Sequence, residues 1–191
     1  MAAAPVPGSR WTMTTDEQLI LDFQQGSRDA FTELFLRYRQ MVYAFFRRRV
    51  SNAAQAEELA QETFLGVLRA IERYEPRATF RAYVFGIAFK ILAAYRRKAE
   101  RDANRTEAHA VEAVDRSVGD PETALCVRHA VQQLEPGERE VLMLREFEEL
   151  SYEEIAGVLR LPVNTVRSRL FRARMALKEL LSTRGSCEER T

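Results

Sequence analysis

The sequence predicts an all-α fold made of two small helical domains joined by a flexible linker, and three observations predict it. Apolar side chains recur at three- and four-residue steps through most of the chain, the spacing of one buried helix face. No segment alternates apolar and polar residues strictly enough to make a half-buried strand. A polar stretch from Ala99 to Asp120, with charges of alternating sign and few large apolar groups, parts two helical blocks. With 191 residues the chain is long enough for two small cores.

The opening MAAAPVPGSRWTM mixes Pro, Gly, Ala and Ser without periodicity, so residues 1–15, Trp11 included, are expected to form a disordered tail. A helical stripe starts at Asp16 with Leu19, Ile20 and Phe23, and continues through Phe31, Leu34, Phe35, Tyr38, Val42, Phe45 and Phe46. Ser51 and Asn52 supply N-cap chemistry for a third helix. Its predicted buried face is Leu59, Phe64, Leu65, Leu68 and Ile71, and Glu75 and Pro76 close it. Beyond the loop 77–79 a fourth helix is expected from Phe80 to Lys98, through Tyr83, Val84, Ile87, Ile91 and Leu92. In this reading 16–98 is the first domain, 99–120 the linker, 121–183 the second domain and 184–191 a C-terminal tail.

In the second block periodicity returns after Pro121 with Ala124, Leu125, Val131 and Leu134. It breaks at Pro136 and Gly137, and resumes with Val141, Leu142 and Leu144. Ser151, followed three residues on by Glu154, is a capping box that opens a short helix carrying Ile155, Ala156, Val158 and Leu159. Pro162 suits the first turn of the next helix, where a missing N–H has no acceptor to lose. Two helices parted by about three residues meet steeply, and the small Ala156 lets them approach, which is a helix-turn-helix.

On the second of these helices Val166, Leu170, Ala173 and Leu177 share the inward face. Asn164, Arg167, Ser168, Phe171 and Arg172 then point outward, combining guanidinium forks for guanine edges, a hydroxyl, and an aromatic for thymine methyls. Every charged residue from Arg160 to Lys178 is basic, so an acid-free surface fitted to a phosphate backbone is expected. A second basic stretch lies between Glu75 and Glu100. Arg77, Arg81, Lys90, Arg96, Arg97 and Lys98 are interleaved there with Phe80, Tyr83 and Tyr95, and Tyr74 just precedes them, a mixture in which cations track a strand and aromatics hold unstacked bases.

Bulk composition excludes more than it assigns. Lys and Arg number 29 against 28 Asp and Glu, so any polyanionic partner must be met by local patches. No apolar run approaches the roughly 20 residues of a membrane span, and the start lacks the order of a secretory signal, so a cytoplasmic protein is expected. Cys126 and Cys187 lie far apart and are expected as reduced thiols. Cys126 and His129 stand three apart, but His109 and Cys187 fall in the linker and the tail. No metal, cofactor or enzymatic activity is expected.

LSYEEIAGVLRLPVNTVRSRLFRARMALKELL, Leu150 to Leu181, resembles region 4 of bacterial sigma factors of the extracytoplasmic-function (ECF) group in the sigma-70 family. AEELAQETFLGVLRAIERYEPRATFRAYVFGIAF, Ala56 to Phe89, resembles their region 2, in the expected order along the chain. The resemblance implies that the first domain is a region 2 bundle and the second a region 4 helix-turn-helix. It implies that Arg167, Ser168, Phe171 and Arg172, with Thr165 and Asn164, read a duplex minus-35 element. Arg77, Phe80, Arg81, Tyr83, Lys90, Arg96 and Arg97 would capture the melted minus-10 element, and Glu58, Gln61 and Glu62 would dock on the polymerase. The partners implied are core RNA polymerase through its clamp helices and flap, promoter DNA both duplex and melted, and an anti-sigma factor. The chain departs from the family's common residues at Tyr83, Lys90, Ala94 and Asn164, and at Arg160, where a left-handed turn suits Gly better than Arg. The alternative reading is a helix-turn-helix regulator that binds a duplex operator without acting as a sigma factor.

Overall fold

A computed structural model of the chain describes residues 14–75, 78–103 and 121–188, with side chains at all of these except 72, 103, 121–124 and 183–188. Residues 1–13 with Trp11, Pro76, Arg77 and the linker stretch 104–120 with His109 lie outside the described residues, as does the Cys187 side chain. The described elements are α1 Asp16–Gln24, α2 Arg28–Arg47, α3 Ala53–Ala70, a 3-10 turn Ile71–Arg73, α4 Phe80–Ala103, α5 Pro121–Gln133, α6 Pro136–Glu146, α7 Tyr152–Leu159 and α8 Val163–Glu188, with no strand among them. They belong to two compact units, Met1–Ala113 and Val114–Thr191.

In the first unit the helix starts are chemically marked. Thr15, Ser27 and Asn52 sit in extended backbone and their side chains accept from Gln18, Ala30 and Ala54 N–H, offsetting donors that have no intrahelical partner. α1 packs on α2, α2 on α3 and α3 on α4. The buried set of Leu34, Val42, Phe45, Phe46, Val67, Val84, Phe85 and Leu92 fills the space between them. Each fully buried Phe or Leu contributes about 1.5–3 kcal/mol relative to exposure. A Cβ at Gly66 would lie 3.1 Å from Ile87 Cγ2, so this glycine lets α3 and α4 approach closely.

The α3 face differs from the expectation. Leu59, Phe64 and Ile71 are buried, but the remainder of the inward face is Ala56, Ala60, Thr63 and Val67, while Leu65 and Leu68 stand in solvent at 51% and 39% exposure. Small residues face the neighbouring helices, and the larger leucines are rotated outward. α3 also stops at Ala70, short of Glu75, and gives way to the 3-10 turn. At the other end of the unit α4 runs on to Ala103, so the first residues expected as linker are helical.

In the second unit α5, α6 and α7 all pack on α8. The interruption falls at Leu134–Glu135. Pro136 is the first residue of α6, and the Glu135 carboxylate caps it by accepting from Gly137 N and Glu138 N at 2.9 and 3.1 Å. Proline loses no hydrogen bond at that position. Val141, Leu142, Leu144, Leu150, Ile155, Val166, Leu170 and Ala173 make the core, whereas Leu125, expected inside, is 51% exposed. α8 continues through residues 184–188, which the sequence assigns to a tail.

Candidate nucleic-acid interface

The helix-turn-helix is built by local chemistry. Ser151 Oγ accepts from Glu154 N at 3.2 Å and Glu154 Oε2 accepts from Ser151 N at 2.8 Å, the reciprocal pair that starts α7. α7 ends on Arg160, whose φ of 55° and ψ of 48° are left-handed. The arginine thus adopts the backbone that suits glycine, with Leu161 N–H donating to Ala156 O at 3.0 Å. Arg160, Leu161 and Pro162 form the three-residue link, and Pro162 stands just before α8, where its carbonyl accepts from Thr165 and Val166 N–H.

With Val166, Leu170 and Ala173 fully buried, the predicted outward residues Asn164, Arg167, Ser168, Phe171 and Arg172 are all exposed, Phe171 at 66%. Thr165 is half-buried. Ser168 Oγ donates to Thr165 O at 3.1 Å. The surface is not acid-free, however, because α6 crosses α8 and brings two carboxylates to it. Arg172 Nε donates to Glu138 Oε1 at 2.6 Å, and Arg174 Nη2 to Glu146 Oε1 at 2.8 Å. The bond from Glu146 holds the Arg174 guanidinium above its ordinary value. Those acids are far from α8 in sequence, and a charge tally along one helix misses them.

In the first unit the residues expected to take single-stranded DNA separate into groups. Tyr83, Lys90 and Arg97 lie seven apart on one face of α4, Tyr83 half-buried and the other two exposed, and Arg96 is exposed beside them. Arg81 sits next to the Tyr38 hydroxyl, which itself donates to the Asp16 carboxylate. Phe80 does not belong with them. It is 1% exposed and packs edge-on against Tyr38 and Tyr74, with ring centroids 5.2 and 6.3 Å away, so it is a core residue and not a base platform. The accessible aromatic pair at this place is Tyr74 and Tyr83, 4.6 Å apart. Burial pushes both hydroxyls above their ordinary value, and for Tyr74 the Glu17 carboxylate adds to it.

The segment leading to α4 is braced from α1. Gln24 Nε2 donates to Ile71 O at 2.9 Å and Tyr74 O at 3.2 Å, Tyr74 OH donates to Ala78 O at 2.7 Å, and Thr79 Oγ1 accepts from Ala82 N at 3.2 Å. Gln24 belongs to none of the expected sets, since nothing in its neighbourhood in the chain predicts a partner so distant in sequence.

Glu58, Gln61 and Glu62 are exposed along α3. Glu58 and Glu62 line a groove of about 660 Å³ with Tyr95 and Lys98 of α4, while Gln61 lines another, of about 390 Å³, with Phe35, Tyr43 and Phe64. Leu65 and Leu68 prolong the ridge, so a polar stretch and an apolar one share a single exposed helix face. Among the described residues no helix is long and apolar enough to cross a membrane, and no group of three or more His, Cys, Asp or Glu could hold a metal ion.

Two family models match the chain: Sigma-70 region 2 over residues 34–102 and Sigma-70, region 4 over residues 124–177. The RNA polymerase sigma-H factor of Pseudomonas aeruginosa is 35% identical over 184 residues, covering 89% of this chain and 95% of the relative. The ECF RNA polymerase sigma-E factor of Escherichia coli K12 is 31% identical over 177 residues, covering 85% and 92%. In fold the chain is similar to the sigma factor RpoE of Bartonella quintana, solved with the anti-sigma factor NepR, at a TM-score of 0.71 and 24% identity over 80% of this chain and 96% of that one.

Proposed function

The chain belongs to the sigma-70 family as a sigma factor of the ECF group, and on that premise we propose how its surfaces divide the work of starting transcription. The α3 ridge of Glu58, Gln61 and Glu62, extended by Leu65 and Leu68, docks on the clamp helices of core RNA polymerase, with the flap taking the second unit. The α8 face reads the minus-35 duplex: Arg167 and Arg172 present guanidinium forks to guanine edges, Phe171 meets a thymine methyl, and Ser168, Thr165 and Asn164 complete the contacts. Tyr83, Lys90, Arg96 and Arg97 on α4, with Arg81 and Tyr74 beside them, hold the separated minus-10 strand. Stacking and phosphate contacts there offset an unstacking cost of a few kcal/mol per base.

The observation that supports this most is the α8 face, where Val166, Leu170 and Ala173 are fully buried while Asn164, Arg167, Ser168, Phe171 and Arg172 are exposed. Polymerase supplies the catalysis, so the chain binds and positions and does no chemistry of its own. Its place of action is the cytoplasm, and an anti-sigma factor holds it inactive, as one accompanies the similar Bartonella quintana protein. The test is in vitro transcription with core RNA polymerase on a randomised promoter library. Initiation from a defined start, with enriched minus-35 and minus-10 elements, is expected. Operator binding without polymerase and without initiation would instead favour a free-standing regulator.

A further inference from the structure

We propose that Glu138 is a positioning residue for Arg172, lowering affinity for DNA in general and raising selectivity at one base pair of the minus-35 element. The inference rests on the reading of α8 as the minus-35 reader. The geometry is asymmetric. The Glu138 side chain is 14% exposed and Arg172 58%, so the carboxylate is the fixed member of the pair and the guanidinium the one that reaches outward. Glu138 lies in the first turn of α6, its own N–H taken by Glu135 through Oε2 at 3.1 Å and O at 3.0 Å, so its backbone is pinned. Gly137 beside it leaves room for Arg169: a Cβ there would lie 2.8 Å from the Arg169 guanidinium. The start of α6 is thus fitted against the arginines of α8.

A guanidinium offers five donors in a planar fork, and a guanine edge takes two of them in parallel. Glu138 engages Nε, which leaves the Nη edge for the base and fixes the plane in which it is presented. A fork already held in its bound orientation loses less freedom on binding. The same carboxylate repels the phosphates of any duplex, whatever its sequence, and carries part of Arg172's charge away from them. Selectivity is a difference of affinities, and weakening the wrong complexes raises it as surely as strengthening the right one.

The acceptor and the charge can be separated. Glu138→Gln keeps an oxygen that accepts from Nε and drops the charge, Glu138→Ala drops both, and Glu138→Lys reverses the charge and drives Arg172 away. The readout is the affinity of holoenzyme, assembled from the full chain and core RNA polymerase, for promoter duplexes that differ by single minus-35 base pairs, and for an unrelated duplex.

Glu138→Ala and Glu138→Lys are expected to lower the ratio of matched to mismatched affinity at one position about five- to tenfold, within the range a bidentate pair provides. Both should raise affinity for the unrelated duplex about two- to threefold and steepen its salt dependence, as a released phosphate contact does. Glu138→Gln is expected to raise the unrelated affinity while keeping the ratio. Glu146→Ala frees Arg174 from the same kind of pair and should move all duplexes alike. A ratio unchanged in both Glu138→Ala and Glu138→Lys, where Arg172→Ala abolishes it, overturns the role of Glu138 alone. A ratio unchanged in Arg172→Ala overturns the reading beneath it.

Discussion

Replacing Leu65 and Leu68 together by glutamine tests whether the α3 ridge is a docking surface. Leu65 is 51% and Leu68 39% exposed. Full burial of one leucine contributes about 1.5–3 kcal/mol, so a partner that covered what remains exposed on both gains roughly 1.4–2.7 kcal/mol. Glutamine keeps the stem that packs along α3 and places a polar end in water, so the fold itself should change by no more than about 0.5 kcal/mol per site. Affinity for core RNA polymerase should fall by roughly ten- to a hundredfold, at 1.4 kcal/mol per decade. Competition against labelled unsubstituted protein for core enzyme measures this, with a thermal melt of the same preparation alongside. If the double variant melts as the parent does and binds polymerase within twofold of it, the ridge is an ordinary solvated face and the docking argument fails.

Three further outcomes are expected. Ser151→Ala removes the acceptor for Glu154 N–H and should destabilise the helix-turn-helix by about 1 kcal/mol, lowering its melting temperature by roughly 4–8 °C in a calorimetric scan of the second unit's transition. Gln24→Met keeps the side-chain volume and loses both bonds to Ile71 O and Tyr74 O, so it should weaken binding of a single-stranded minus-10 oligonucleotide several-fold without altering minus-35 duplex binding; equal loss on both in gel shifts contradicts the bracing role. Burial raises the Tyr38, Tyr74 and Tyr83 hydroxyls, so above pH of about 10 the unfolded chain releases protons that the folded one retains, and stability measured by denaturant titration should fall there. Tyr38→Phe should make that alkaline decline shallower.

The helices, the capping box at Ser151 and Glu154, and the outward set on α8 were legible because each depends on residues three or four apart. What escaped was decided between helices. On α3 leucines and alanines both recur at helical spacing, and hydrophobicity alone favours the leucines as the inner face. The close approach at Gly66 selects Ala56, Ala60 and Val67 instead, and turns Leu65 and Leu68 out. Its basic neighbours point Phe80 toward DNA, yet Tyr38, remote in the chain, and Tyr74, just before the loop, enclose it. Glu138 and Glu146 reach α8 only because α6 crosses it, so a stretch that is acid-free in the sequence becomes a mixed surface.

The left-handed Arg160 has a consequence for motion. A non-glycine residue in that conformation lies about 1–2 kcal/mol uphill of its relaxed state, and the amides of Arg160 and Leu161, both donating to Ala156 O, are what close the corner around it. Opening there releases that strain. Deuterium uptake should therefore enter at this joint ahead of the buried cores on either side.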